Sequence, residues 1–147
     1  DVYKRQPWDN HVFQHEMHQM LVPELDNILF QLISDLEDRG MLQDTMVIAM
    51  GEFGRTPWLN EARGRDHYSK AWSLAMAGGG IRPGVVVGQT DPLGFEVTEN
   101  PIDNRRLFAT IFKALGIDPK EQYDLPDLPT FHRVEGNVQP IEELLVG

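Results

Sequence analysis

Three short segments of this sequence carry side chains that bind metal ions and anions. They fall in the stretches WDNH, GEFGRTP and GRDH and comprise Asp9, His11, Glu52, Arg55, Asp66 and His67. A mixed set of histidines and carboxylates suits zinc, manganese or a related ion, whereas an all-oxygen set favours calcium or magnesium. Two histidines and three carboxylates are enough to hold one or two metal ions.

Each segment also has a purely structural interpretation. Asp9 stands shortly before a predicted helix and could cap it. Glu52 and Arg55 could pair with each other on a loop, where an exposed ion pair contributes little stability. His67, next to Asp66, could be a hydrogen-bonded structural histidine. The residue types alone leave these alternatives open.

Apolar periodicity predicts the elements that must position the three segments. Spacings of three and four predict two helices, at residues 13–39 and 105–115. Pro23 should kink the first helix or start a new segment, because it lacks an N–H and crowds the preceding turn. Apolar runs predict three short buried strands, at residues 45–50, 71–77 and 85–87. Residues 78–80, three glycines, should form a turn.

The order of these elements predicts an α/β fold with a largely parallel sheet. In such folds ligands bind beyond the carboxyl ends of the strands. The loop of residues 51–70 leaves the carboxyl end of the first predicted strand, and loops of about 20 residues in a compact domain are usually functional. We therefore expect the site at this loop.

Composition excludes several classes of function. The 147 residues have a formal net charge of −10, so the surface lacks the positive field that attracts nucleic acid. The sequence has no cysteine, which excludes disulfides, thiolate metal sites and cysteine nucleophiles. No stretch approaches the length of about 18 apolar residues that a membrane span requires. The oligomeric state is left open.

Several motifs occur in an order that resembles a known family. WDNH, GEFGRTP, GRDH, AGGGIRPGVVVGQTD and the closing VEGNVQPIEELL are similar to the C-terminal part of the domain-of-unknown-function 1501 family, sulfatase-like proteins placed with the alkaline phosphatase superfamily. The resemblance implies a three-layer alkaline-phosphatase-like fold with a mainly parallel sheet, of which this chain is only the C-terminal part. Residues 8–147 would form that part, and we interpret residues 1–7 as a non-native or disordered leader.

The resemblance also implies roles for the site residues. Asp9, His11, Glu52, Asp66 and His67 would be metal ligands, with Asp66 alternatively supporting a ligand. Arg55 would bind the oxyanion, because a guanidinium matches a tetrahedral anion in two-point contact. His67 would be a ligand or the acid that protonates the leaving group. The metal would be zinc, manganese or calcium.

The implied function is a metal-dependent hydrolase of sulfate or phosphate esters, acting on a small molecule or a polysaccharide. Its nucleophile would lie on an upstream segment that these residues lack, and the protein would be exported. Glu52-Phe53 stands where the superfamily usually has Asp-His, and Asn10 replaces a usual threonine. The first departure supports an alternative, a non-catalytic binding or scaffold protein that retains the fold.

Overall fold

Two α-helices frame the part of the chain that the structure, a computed structural model, describes, namely residues 8–146. Helix α1 spans Gln14–Asp38 and helix α2 spans Asn104–Ala114, which confirms both predicted helices. Helix α1 runs through Pro23 as one element, so the new segment predicted there is wrong. Pro23 and Gln19 are exposed, and water can therefore satisfy the carbonyl that loses its N–H partner. The interpretation of residues 1–7 lies outside the described residues.

Short strands, numbered β1 to β8 in chain order, form separate two-stranded sheets within residues 8–146. The pairs are β1 (Met46–Met50) with β4 (Leu74–Gly78), β2 (Gly54–Arg55) with β3 (His67–Tyr68), β5 (Gln89–Thr90) with β6 (Val97–Glu99), and β7 (Gln122–Tyr123) with β8 (Phe131–His132). Each of these pairs is antiparallel. Single 3₁₀ turns at Leu42–Asp44 and Glu142–Leu144 precede β1 and the C-terminus.

The predicted three-layer fold with a mainly parallel sheet is therefore wrong. Strands β1 and β4 follow the predicted runs at residues 45–50 and 71–77, but they run in opposite directions, with Ile48 opposite Met76. The chain between them contains the β2–β3 hairpin and no helix, and a parallel pair needs a crossover connection. An apolar run predicts a strand but carries no information about the direction of its partner.

In the segment after β4, the predicted strand at residues 85–87 is wrong and the predicted glycine turn at residues 78–80 is confirmed. Residues 85–87 form no strand, and Val86 is 91% exposed. The predicted glycine turn is confirmed, since Gly78, Gly79 and Gly80 all have positive φ. A Cβ on Gly80 would lie 2.5 Å from the carbonyl oxygen of Ala114, so this turn packs directly on the end of α2.

The best-buried side chains join α2 to the C-terminal segment. Leu107, Ala109 and Thr110 of α2 are buried, as is Ile141, which is 1% exposed. The Thr110 hydroxyl donates to the carbonyl of Arg106 at 2.7 Å and accepts from the backbone N–H of Ile141 at 2.9 Å. Since a buried N–H needs a partner, this hydroxyl holds the C-terminal segment on α2.

Helix α1 is covered by the rest of the protein on one side, and several of its other apolar side chains are exposed. Leu36 of the predicted apolar stripe is buried, whereas Met20, Ile28 and Phe30 are exposed by 64%, 54% and 70%. No helix within residues 8–146 has the length and apolarity needed to cross a membrane.

Replacing Thr110 by valine should destabilise the fold without changing its shape. Valine has the same shape but cannot accept the Ile141 N–H, and an unpaired buried donor costs about 1–3 kcal/mol. Urea unfolding of wild type, Thr110→Val and Thr110→Ser measures this, and serine should retain more stability because it keeps the hydroxyl. A valine variant as stable as wild type would contradict the assigned role.

Candidate functional site

The β2–β3 hairpin places an arginine beside a histidine. Arg55 pairs directly with His67, and Gly54 with Tyr68. Directly opposed residues of an antiparallel pair project to the same face, so the side chains of Arg55 and His67 lie together. Gly54 is required because a Cβ there would lie 1.8 Å from the carbonyl oxygen of Ala71. The GEFGR and GRDH segments therefore meet through a local hairpin.

The segment before α1 reaches the hairpin because the helix start packs on the loop of residues 60–66. The first helical N–H groups lack partners within the helix, and here Phe13 N donates to Ala62 O at 3.1 Å and Gln14 N to Arg63 O at 3.2 Å. A Cβ on Gly64 would lie 2.0 Å from the carbonyl oxygen of His11, so only glycine permits this approach. The packing brings Asp9 and His11 to the hairpin.

Asp9, His11 and His67 converge on one point. His11 Nε2 lies 3.2 Å from His67 Nε2 and 3.1 Å from Asp9 Oδ1, and His67 Nε2 lies 2.9 Å from Asp9 Oδ1. Around an ion with bonds of about 2.0–2.2 Å, adjacent ligand atoms lie about 2.9 Å apart in octahedral and about 3.4 Å apart in tetrahedral geometry. The three side chains thus form a group that could hold one metal ion.

This group is open to solvent. The side chains of Asp9, His11 and His67 are 51%, 41% and 47% exposed. Three protein ligands with an accessible remaining position are typical of catalytic metal sites, whereas structural sites are closed by a fourth protein ligand. A small molecule or an ester group can approach the point where the three ligand atoms meet.

Asp66 contacts the other nitrogen of His11. Its Oδ1 lies 2.7 Å from His11 Nδ1, and Asn60 Nδ2 donates to the same oxygen at 3.1 Å. A carboxylate acceptor at Nδ1 favours a proton on that nitrogen, and a neutral His11 with its proton there presents the Nε2 lone pair to the point where the three side chains converge. His67 is positioned differently, because its ring packs on Phe53 with a centroid distance of 4.0 Å.

Arg55 contacts the converging group from one side. Its Nη2 donates to Asp9 Oδ1 at 2.6 Å, and its Nη1 donates to the carbonyl of Arg65 at 3.2 Å. The Arg55 side chain is 21% exposed, and its guanidinium lies 5.8 Å from the centre of the Phe53 ring. Arg55 is therefore held in place by contacts on both terminal nitrogens and is only partly accessible.

Hydrogen bonding keeps both site carboxylates ionised. The bond from His67, followed by the bond from Arg55, holds the pKa of Asp9 well below its usual range. Hydrogen bonds from His11 and then Asn60 lower the pKa of Asp66. Charged and hydrogen-bonded donors stabilise the ionised form. At neutral pH the cluster therefore presents two negative carboxylates and one positive guanidinium.

The structure contradicts two of the purely structural interpretations, namely Asp9 as a helix cap and Glu52 as the partner of Arg55. Residue 13, not Asp9, precedes the first helical residue, and Asp9 instead accepts from Arg55 and His67. Arg55 pairs with Asp9 and not with Glu52. Among residues 8–146 the converging group does not include Glu52, which is exposed in the bend after β1. Its role as a ligand stays a prediction.

Two residues that contact the site were given no role in it by the sequence analysis. Asn60 contacts both His11 and Asp66, and Phe53 packs on His67. Asn60 stands four residues before Gly64. This spacing indicates a tight loop, but it does not indicate which groups the Asn60 side chain contacts. Phe53 falls inside the GEFGRTP motif, in which roles were predicted only for the charged residues Glu52 and Arg55.

The chain matches the model of a protein family. A family model described as "Protein of unknown function (DUF1501)" matches residues 1–145. No curated protein matches the chain. No solved structure matches it. The matched region contains all the residues of the converging group.

The lowered pKa of Asp66 predicts how its contribution to stability depends on pH. Asp66 should stabilise the fold above the unfolded-state pKa of about 3.9, and this contribution should be lost as pH falls through the lower pKa of the folded state. Urea unfolding of wild type and Asp66→Asn from pH 7 to pH 3 measures the difference, with Asp26→Asn on α1 as control. A difference between wild type and Asp66→Asn that stays constant over this range would refute the prediction.

Proposed function

We propose that this chain, which belongs to the DUF1501 family of proteins of unknown function, supplies the metal centre of a hydrolase of phosphate or sulfate esters. The observation that carries the proposal is the convergence of Asp9 Oδ1, His11 Nε2 and His67 Nε2 within 3.2 Å of one another, with Arg55 in contact with the same aspartate. A metal ion and a guanidinium side by side form a site for a tetrahedral anion.

The donor set favours zinc or manganese over calcium. Calcium takes six to eight oxygen ligands, whereas two of the three converging atoms are imidazole nitrogens. Imidazole suits zinc and other transition metals, and a carboxylate also suits manganese. The spacing of the three atoms matches the bond lengths of both ions. We therefore propose zinc or manganese as the bound metal.

The charges of the cluster favour an anionic ligand once a divalent ion is present. The ionised Asp9 and Asp66 with Arg55 leave one net negative charge when the imidazoles are neutral. A divalent cation converts this to one net positive charge, on a surface that is open to solvent. A cation next to a guanidinium attracts phosphate or sulfate, and the guanidinium hydrogens that Asp9 and the Arg65 carbonyl do not use can donate to its oxygens.

In the proposed mechanism, Asp9, His11 and His67 hold the metal, which would supply activation of the nucleophile and stabilisation of charge on the ester oxygens. Arg55 binds a non-bridging oxygen and stabilises the charge that develops on it. Asp66 keeps the proton of His11 on Nδ1. Following the family resemblance, we place the nucleophile on a segment outside these 147 residues and propose that the protein is exported.

Metal content should depend on His67. Mass spectrometry of the full-length protein should find about one equivalent of zinc or manganese in wild type, with loss of most of it in His67→Ala, because one of three ligands is removed. His132→Ala, an exposed histidine of β8, is the matched control and should keep the metal. Absence of metal in wild type after reconstitution would refute the proposed function.

Ester hydrolysis should depend on the fork of Arg55 rather than on its charge alone. Arg55→Lys should keep the metal but lower kcat/KM for aryl phosphate or aryl sulfate esters by about 10- to 100-fold, since a charge-assisted hydrogen bond is lost. Arg39→Lys at the end of α1 is the control. Unchanged kcat/KM would contradict the role of Arg55. A wild type that binds metal and ester without turnover would favour a binding protein instead.

A further inference from the structure

We propose that Asn60 is a positioning residue that fixes the tautomer and orientation of His11 through Asp66, an inference that rests on the proposed function. Asn60 contacts none of the three converging atoms. It acts on them through the backbone of His11 and the carboxylate of Asp66. The geometry of one amide thus links the loop of residues 60–66 to a metal ligand.

All the hydrogen-bonding capacity of the Asn60 amide is used. Its Nδ2 donates to the carbonyl of His11 at 3.0 Å and to Asp66 Oδ1 at 3.1 Å. Its Oδ1 accepts from the backbone N–H groups of Ala62 at 3.0 Å and Gly64 at 2.9 Å. An amide offers two donor hydrogens and two acceptor lone pairs. Asn60 is therefore satisfied completely by these four contacts.

The four partners also determine which way the amide faces. The N–H groups of Ala62 and Gly64 can only donate, whereas the carbonyl of His11 and an ionised carboxylate can only accept. Rotating the amide by half a turn would place donors against donors and acceptors against acceptors. The orientation of Asn60 is thus set by chemistry, and Nδ2 must point towards His11 and Asp66.

The donor half of Asn60 directs the Asp66 carboxylate onto His11. Asp66 Oδ1 receives both Asn60 Nδ2 and His11 Nδ1, the latter at 2.7 Å. The backbone of Asp66 is held as well, because its N–H donates to Thr56 Oγ1 at 3.1 Å and its carbonyl accepts from Thr56 N at 2.9 Å. With the backbone and the carboxylate both fixed, Asp66 favours the Nδ1–H tautomer of His11 in competition with Asp9 Oδ1, which lies 3.1 Å from Nε2.

The acceptor half of Asn60 shapes the loop on which His11 rests. Asn60 Oδ1 holds the N–H of Gly64, and the backbone N–H of Asn60 donates to the Gly64 carbonyl at 2.9 Å. Gly64 packs directly on the His11 carbonyl, where a Cβ would lie at 2.0 Å. Loop shape and imidazole orientation therefore depend on different halves of the same side chain, which permits them to be separated by substitution.

Asn60→Asp separates the two roles. An aspartate keeps an oxygen for the N–H groups of Ala62 and Gly64, but it replaces the donor to Asp66 and to the His11 carbonyl with a second carboxylate oxygen. The loop should persist, while repulsion between carboxylates should move Asp66 away from His11 Nδ1. Asn27→Asp is the matched control, because Asn27 lies on α1 and contacts only Gln31 among the bonds described for its side chain.

The test uses metal-free full-length protein and two readouts. Nitrogen NMR of His11 should show the Nδ1–H tautomer in wild type and in Asn27→Asp, and a mixture of tautomers in Asn60→Asp at a nearly unchanged unfolding midpoint. Affinity for Co²⁺, followed by its visible absorption, should fall by about 10- to 100-fold in Asn60→Asp, as is typical when a partner of a metal-binding histidine is lost. An unchanged tautomer in Asn60→Asp would overturn the proposal, whatever happens to the affinity.

A second variant covers the case in which Asn60→Asp does not fold. Asp66→Ala leaves the bonds from Asn60 to the backbone in place and removes the acceptor, so His11 should again show mixed tautomers. A retained Nδ1–H tautomer in Asp66→Ala would overturn the proposal. If wild type binds no metal, the proposed function fails, but the tautomer of the metal-free protein still decides whether Asn60 positions His11.

Discussion

The packing of the α1 N-terminus on the loop of residues 60–66 is the contact on which the rest of the site depends. The helix start has N–H groups without partners, and the carbonyls of Ala62 and Arg63 accept two of them. Glycine at position 64 lets the two backbones approach until the His11 carbonyl touches the loop. Because WDNH ends only two residues before the Phe13 N–H that bonds the loop, satisfying these backbone groups also brings the aspartate and histidine to the hairpin.

The site is held by contacts between residues that are far apart in the sequence. The bonds from His11 to Asp66 and to His67, and from His67 to Asp9, span 55, 56 and 58 residues. Closing a loop of this length has an entropic cost, which must be offset by contacts between the two joined segments. The network of Asn60, Asp66 and Arg55 offsets that cost by fixing both sides of the junction, and the same contacts set the charge of the site. One hydrogen-bond network therefore both stabilises the junction and sets the geometry of the converging group.

The two helices could be predicted well because their signals are local. The spacing of apolar residues defined α1 and α2 to within one residue at each end. Strand direction could not be predicted in this way, because it depends on which segment pairs with β1 and on the path between them. The region of residues 85–87 shows a further limit, since three valines favour a strand only where a partner strand exists to bond them.

The residue types available for chemistry, the two helices and the strands β1 and β4 could be inferred from the sequence alone, because side-chain chemistry and apolar periodicity act over a few residues. The sequence also indicated that Asp9 and His11 precede α1 and that Arg55, Asp66 and His67 lie in one segment between two strands. The folded chain adds what the sequence could not show: His11 and His67 face one another, Asp66 bonds the far nitrogen of His11, and Asn60 contacts both His11 and Asp66. Those relations arise from loop and helix-end packing, in which hydrogen bonds between distant segments select one arrangement that no local pattern encodes.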